Sequence, residues 1–116
     1  MDRFNFEDYD TVEHESEVEE FPVDFADFDW APEIEEKVMS EHRLQPYKVE
    51  ECFYDVKHRR RRGRGGTYFH FGRSEEGRYI FVVFRWTLVG GKRFAKIITA
   101  YDMTDKQRDY YEKGRR

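Results

Sequence analysis

The apolar run Tyr79, Ile80, Phe81, Val82, Val83 and Phe84 limits the possible folds more than any other stretch of the chain. A strand at the edge of a core alternates apolar and polar side chains. This one has almost no polar face, so it needs cover above and below. It also needs sheet neighbours, and the flanking sequence supplies them. Residues 67–71 (Thr-Tyr-Phe-His-Phe) read as a strand that reaches residues 78–87 through a turn at 72–77. Gly90 and Gly91 follow, and two residues tolerant of positive φ suit a tight hairpin into another strand over residues 93–101. The prediction is an antiparallel meander with the apolar strand at its centre.

Upstream, residues 23–30 place Val23 and Phe25 on one face and, after a change of phase, Phe28 and Trp30. This predicts a short first strand with a bulge. Asp29 is the expected N-cap of a first helix over residues 31–42, with Pro32 in its first turn. Its acids Glu33, Glu35 and Glu36 lie near the positive end of the helix dipole, and Ile34, Val38 and His42 form the inward stripe. A second helix opens at Pro46, buries Val49, Cys52 and Phe53, and stops by Asp55. Thr104 and Gln107 form a capping box for a last helix that turns Gln107, Tyr110 and Tyr111 inward. The order is β-α-α-β-β-β-α: an α+β domain with a small antiparallel sheet and helices packed on one side.

Charge divides the chain. The formal net charge is −4, yet residues 1–51 hold 18 acidic and four basic residues, and residues 52–116 hold seven acidic and 17 basic ones. The second half has the electrostatic footprint of a polyanion-binding surface. Residues 1–22, with nine acids and Arg3 as the lone base, show no sustained apolar period and read as an acidic, flexible arm ahead of a domain over 23–116. Such an arm is a solubilising tail, a cover for the basic segment anchored by Phe4, Phe6 and Tyr9, or a docking segment for another protein. No run is long and apolar enough to span a membrane and no apolar leader is visible, so a cytoplasmic location is expected. Cys52, the one cysteine, cannot form an internal disulfide and fits a buried apolar position. No Cys/His spacing or acidic cluster suggests a metal, and no cofactor is implied.

The strongest binding signal is the segment 56–66, which carries Arg59, Arg60, Arg61, Arg62 and Arg64 among three glycines and reads as a basic loop. Guanidinium groups this close repel by roughly 1 kcal/mol per contacting pair in water, so a polyanion partner is favoured over a merely solvated loop. That partner is RNA, DNA or an acidic protein surface, this chain's own arm included. Tyr68, Phe69, Tyr79 and Trp86 nearby are of a type that stacks on unpaired bases, although core positions are the plainer reading.

From Phe28 onward the chain resembles the BrnT-type toxins of bacterial toxin–antitoxin pairs. The resemblance rests on order and spacing: Asp29-Trp30, Glu41-His42, Val49-Glu50-Glu51, Gly72-Arg73, Gly77-Arg78-Tyr79, Phe81-Val82-Val83, Ile97-Ile98-Thr99-Ala100, and Asp102-Met103-Thr104 with Arg108 and Tyr111. The basic segment from Arg61 to Tyr68 looks like one subgroup of that family. The resemblance implies a RelE-like fold, a small antiparallel sheet flanked by helices. It also implies metal-independent RNA cleavage, neutralised by a partner antitoxin. The chain departs at Tyr101, where members commonly carry arginine, and in the acidic arm, which the short members lack.

Cleavage through the 2′-hydroxyl needs a base, a cation for the developing charge and an acid for the leaving oxygen. Arginine suits the cation's task because its planar fork pairs with phosphate oxygens. The catalytic candidates are Arg73, Arg85, His42 and Tyr101; the RNA-binding candidates are Arg59, Arg60, Arg61, Arg62, Arg64 and Arg78. Each has a plainer alternative. His42 fits a core histidine at a helix end, the arginines fit solvated surface, and Tyr101 supplies a hydrogen bond but no charge. His70, between Phe69 and Phe71, is either an acid–base group or the polar face of an edge strand. A non-catalytic RelE-like module binding RNA or protein stays open beside the ribonuclease.

Overall fold

A computed structural model describes residues 25–113. The predicted acidic arm, the anchors Phe4, Phe6 and Tyr9, and Val23 lie outside them. The elements are β1 (Asp27–Asp29), α1 (Pro32–His42), α2 (Pro46–Cys52), β2 (Arg59–Arg62), β3 (Tyr68–Arg73), β4 (Tyr79–Val89), β5 (Lys92–Asp102) and α3 (Asp105–Lys113). They form one five-stranded sheet in the order β1-β5-β4-β3-β2.

The apolar run is central, as its pattern requires. Ile80, Phe81, Val82, Val83 and Phe84 are all fully buried, and the meander β3-β4-β5 is antiparallel. Alternation along β4 separates two cores. Ile80, Val82 and Phe84 face α1 and α2, joining Val38, Leu44, Val49, Cys52 and Phe53. Phe81 and Val83 face α3, joining Phe69, Phe71, Met103 and Tyr111. Helices therefore cover both faces, not one. Covering the run from a single side would leave half of its side chains in water, at roughly 1.5–3 kcal/mol per large apolar group.

Two further expectations change. The first strand is only three residues and pairs in parallel with β5, Phe28 opposite Ala95, so the sheet is mixed. Asp29 belongs to that strand; the N-cap of α1 is Ala31, with no side-chain cap, and Pro32 takes the first helical turn as expected. More consequentially, the arginine run is not a loop. Arg59 to Arg62 pair with Phe71 to Tyr68 as a strand, the last of the sheet among the described residues, which gives the order β-α-α-β-β-β-β-α.

Local signals elsewhere agree with the sequence. Gly90 and Gly91 have φ of 60° and 79° in the β4–β5 hairpin. The capping box closes both ways: Thr104 N–H donates to Gln107 Oε1 at 2.9 Å, and Gln107 N–H to Thr104 Oγ1 at 3.2 Å. A shift of register between Val83 and Phe84 sets Ile97 opposite Phe84 and Thr99 opposite Val83, so Ile98 is the extra residue on β5. The bulge changes the phase of β5, which turns Tyr101 onto the α3 face opposite Phe81.

Candidate functional site

Strand β2 splits the arginine run by parity. Arg59 and Arg61 lie opposite Phe71 and Phe69 and share the α3 face; Arg60 and Arg62 lie opposite His70 and Tyr68 and share the face of α1 and α2. On the α3 face the guanidinium of Arg59 sits 3.8 Å from the ring centre of Tyr110 and donates to the Tyr110 carbonyl at 2.6 Å. Arg61 lies 5.3 Å from the same ring. Cation–π contact and the end of α3, where carbonyl groups concentrate partial negative charge, hold these two like charges side by side.

Arg60 is different. It is 8% exposed, lies 5.5 and 5.6 Å from the rings of Phe25 and Phe53, and donates from Nε to His70 Nδ1 at 2.9 Å. His70 is fully buried, stacks on Phe53 with ring centres 4.3 Å apart, and bonds through Nε2 to the Cys52 carbonyl at 2.7 Å. Nδ1 must therefore accept and Nε2 must carry the proton. Burial, with Arg60 and His58 beside it, holds the imidazole well below its ordinary pKa. His70 is thus a neutral linker between α2 and β2, and neither of the roles expected for it survives. The site admits nothing larger than Gly72 next to it: a Cβ there would stand 2.4 Å from the Cys52 oxygen. Burial likewise pushes the Cys52 thiol up and leaves it inert.

The other predicted cations fall into separate places. Arg64 is exposed in the β2–β3 turn, and Arg62 lies 5.6 Å from the Tyr68 ring. Arg85 follows Val83 on the α3 face and donates to the Gly65 carbonyl, bracing that turn. Arg73 also lies on that face, 4.5 Å from the Tyr79 ring, and its Nε donates to the Gly77 carbonyl at 3.3 Å. Arg78 turns the opposite way. It grips both oxygens of Asp102, at 2.7 and 3.1 Å, and donates to the carbonyls of Arg43 and His42 at 3.0 and 3.3 Å. It caps the end of α1, and its partner Asp102 raises its pKa. Of the ten predicted site residues, Arg60 is the buried one and Arg78 the one held in a two-point ion pair, while Arg59, Arg73 and Arg85 each donate to a backbone carbonyl.

His42 and Tyr101 do come together. The last turn of α1 and the end of β5 set their rings 5.6 Å apart, lining with Glu41 and Asp102 an open depression of about 450 Å³. Tyr101 continues through Phe81, 5.3 Å away, towards the part of the face that holds Tyr79. Tyr101 lies opposite Phe81, and Arg85 stands four residues further along β4, about 13 Å at strand rise.

One residue on this face was not singled out as functional from sequence. Arg108 on α3 lies 4.0 Å from the Tyr79 ring, which is also bonded through its hydroxyl to Glu112 at 2.7 Å. The capping box fixes the phase of α3 and so held the signal, but only the sheet shows what Arg108 overlies. A second depression, about 460 Å³, is lined by Tyr54, Asp55, Lys57, Arg73 and Tyr111 among others. Of its acids, Asp55 is committed: its Oδ2 accepts from the Arg73 backbone at 2.9 Å and from the Tyr111 hydroxyl at 2.6 Å, tying β3 to α3. Among the described residues no three His, Cys, Asp or Glu side chains are grouped to hold a metal ion, and no helix is long and apolar enough to cross a membrane.

The chain thus forms a mixed five-stranded sheet between one helix and a pair of helices, with arginines along one face. One solved structure it resembles is that of the Brucella abortus ribonuclease toxin BrnT, at a TM-score of 0.54 and 14% identity, covering 68% of this chain and 97% of that one. At this identity the likeness shows the fold alone. No family model and no curated protein matches the chain.

Proposed function

We propose that the domain is an RNA-binding module of the BrnT-like, RelE-like type that cleaves RNA without a metal ion. The observation that carries this reading is the α3 face, where Arg59, Arg61, Arg73, Arg85 and Arg108 come from four elements onto one side of the sheet. A strip of arginines spaced along strands tracks a polyphosphate backbone and carries no sequence code. In this reading the chemistry sits where the strip ends, at His42 and Tyr101. The imidazole accepts the 2′-hydroxyl proton, the phenol donates to the leaving 5′-oxygen, and Arg73 with Arg108 takes the developing phosphorane charge. Arg85, with the exposed Arg62 and Arg64, contributes grip only. An antitoxin protein as inhibitor and a cytoplasmic site of action belong to the same proposal.

A second reading has its own observation. Tyr101 brings a hydroxyl and no positive charge, and the depression it shares with His42 has two carboxylates beside it, Glu41 and Asp102. Asp102 is paired with Arg78, but Glu41 would repel a phosphate, which favours a module that binds RNA or protein and does not cut. One experiment separates the two. End-labelled RNA is incubated with the full chain in EDTA, alongside His42→Ala and Tyr101→Phe. Cleavage leaving 2′,3′-cyclic phosphate ends, reduced by about 10²-fold or more in either variant, supports the nuclease. Salt-sensitive binding without cleavage supports the second reading, and no RNA binding at all removes the nuclease and leaves protein binding alone.

A further inference from the structure

We infer that the depression of about 460 Å³ between the end of α2 and the β3–β4 turn is a subsite for one unpaired RNA base, guanine. The subsite rests on the RNA-binding reading and deepens it. Its volume falls in the range of roughly 300–1,000 Å³ typical of small-ligand clefts. Its lining brings together an exposed aromatic ring, a fixed cation and a carboxylate without a partner. The ring is that of Tyr54, just past the end of α2. Tyr54 is 63% exposed and touches Phe28 in a T-shaped contact with ring centres 6.5 Å apart. An aromatic ring left in water at the rim of a cleft is a platform on which a base stacks.

The cation is Arg73. Its guanidinium lies 4.5 Å from the Tyr79 ring, and its Nε donates to the Gly77 carbonyl at 3.3 Å. A Cβ on Gly77 would stand 2.9 Å from Nη2, and Gly77 has φ of 97°, so only glycine lets the guanidinium lie against the turn. Arg73 is also a phosphate ligand of the proposed RNA grip. A nucleotide whose phosphate reaches Arg73 therefore has its base beside the depression.

The carboxylate names the base. Glu51, Asp55 and Glu75 all line the depression, and two of them are committed. Asp55 accepts from the backbone of Lys57 and Arg73 and from the Tyr111 hydroxyl. Glu51 Oε1 accepts from the Glu75 backbone at 3.1 Å, which ties the turn to α2. The carboxylate of Glu75 itself makes no hydrogen bond or ion pair among the described residues, whereas its neighbour Glu76 pairs with Lys48 at 2.6 Å. An unpaired carboxylate repels phosphate, so beside a phosphate-binding arginine it suits a ligand edge that donates. Guanine carries two adjacent donors, N1–H and the 2-amino group, on its Watson–Crick edge, and the two carboxylate oxygens accept both. Adenine and cytosine set one donor next to an acceptor there, and uracil sets one donor between two acceptors. Lys57, also on the lining and exposed, supplies a donor for guanine O6.

Fluorescence anisotropy on the full chain in EDTA tests it. The probes are labelled oligouridine strands with one central guanine, inosine, adenine or uracil, built with 2′-fluoro sugars so that no strand is cut. The guanine strand should bind about tenfold or more tighter than the adenine strand, as hydrogen bonds to a charged group allow. Inosine, which lacks the 2-amino donor, should fall between them. Glu75→Gln replaces one acceptor oxygen by a donor and should bring the guanine-to-adenine ratio to about one. Tyr54→Leu should weaken every strand by roughly fivefold or more. Equal, salt-sensitive binding of all four strands overturns the subsite and leaves the RNA-binding reading standing. A guanine preference that survives Glu75→Gln also overturns it. Absence of binding to any strand removes the subsite and the RNA-binding reading together.

Discussion

His70 shows how one buried residue sets a pH response. Its pKa, and that of the half-buried His58, lies below the ordinary 6.5, in both cases through desolvation first and the Arg60 charge second. The unfolded chain therefore binds protons that the folded imidazoles refuse. Their contribution to stability is complete above about pH 6.5 and is lost as the pH falls below it, by up to about 1.4 kcal/mol per unit for each histidine. Urea midpoints should fall between about pH 7.5 and 5.5. His70→Gln keeps an acceptor for Arg60 and a donor for Cys52, and its midpoints should fall less. The role was hidden in the sequence because His70 lies between two phenylalanines, as a surface strand residue would. Its partners Arg60 and Cys52 are 10 and 18 residues away.

At the scale of elements, two joints position the candidate site. Arg78 and Asp102 fasten the end of α1 to the end of β5, and this joint sets His42 beside Tyr101. Arg78→Ala should cost about 1–3 kcal/mol in urea unfolding, the range for hydrogen bonds from a charged donor, and should weaken any His42-dependent activity. Trp30 Nε1 donates to Glu50 Oε2 at 2.8 Å, and Glu51 accepts from the Glu75 backbone at 3.1 Å. Several of the short motifs behind the resemblance are therefore joints between elements. The helices, the central strand, the hairpin and the cap were legible because each is encoded within a few neighbouring residues. β2 was not, since four arginines carry no apolar alternation. What makes them a strand is the ladder to β3 and the aromatic seats at Tyr110, Tyr68 and Phe53. The parallel β1–β5 pairing, between residues more than 60 apart, has no local signature either.

At the scale of the molecule, the charge division read from the sequence becomes a division between surfaces. The helix pair α1–α2 carries six of the 15 acidic residues described, and the opposite face of the sheet collects arginines from β2, β3, β4 and α3. Parity within strands decides which arginines belong to that surface. That is why the sequence could nominate the cations but not sort them, and why Arg108, named only among the motif residues, was not nominated as a site residue.

The most direct test is the salt dependence of binding between the full chain and a labelled single-stranded RNA in EDTA, from about 50 to 200 mM KCl. The α3 face as the RNA grip predicts that Arg73→Ser with Arg108→Ser lowers the log–log slope by about 1.4, at roughly 0.7 for each phosphate no longer neutralised. Arg93→Ser, next to Trp86 on the other face, leaves the slope unchanged. An unaltered slope in the double variant, or an equal decrease with Arg93→Ser, would contradict the account.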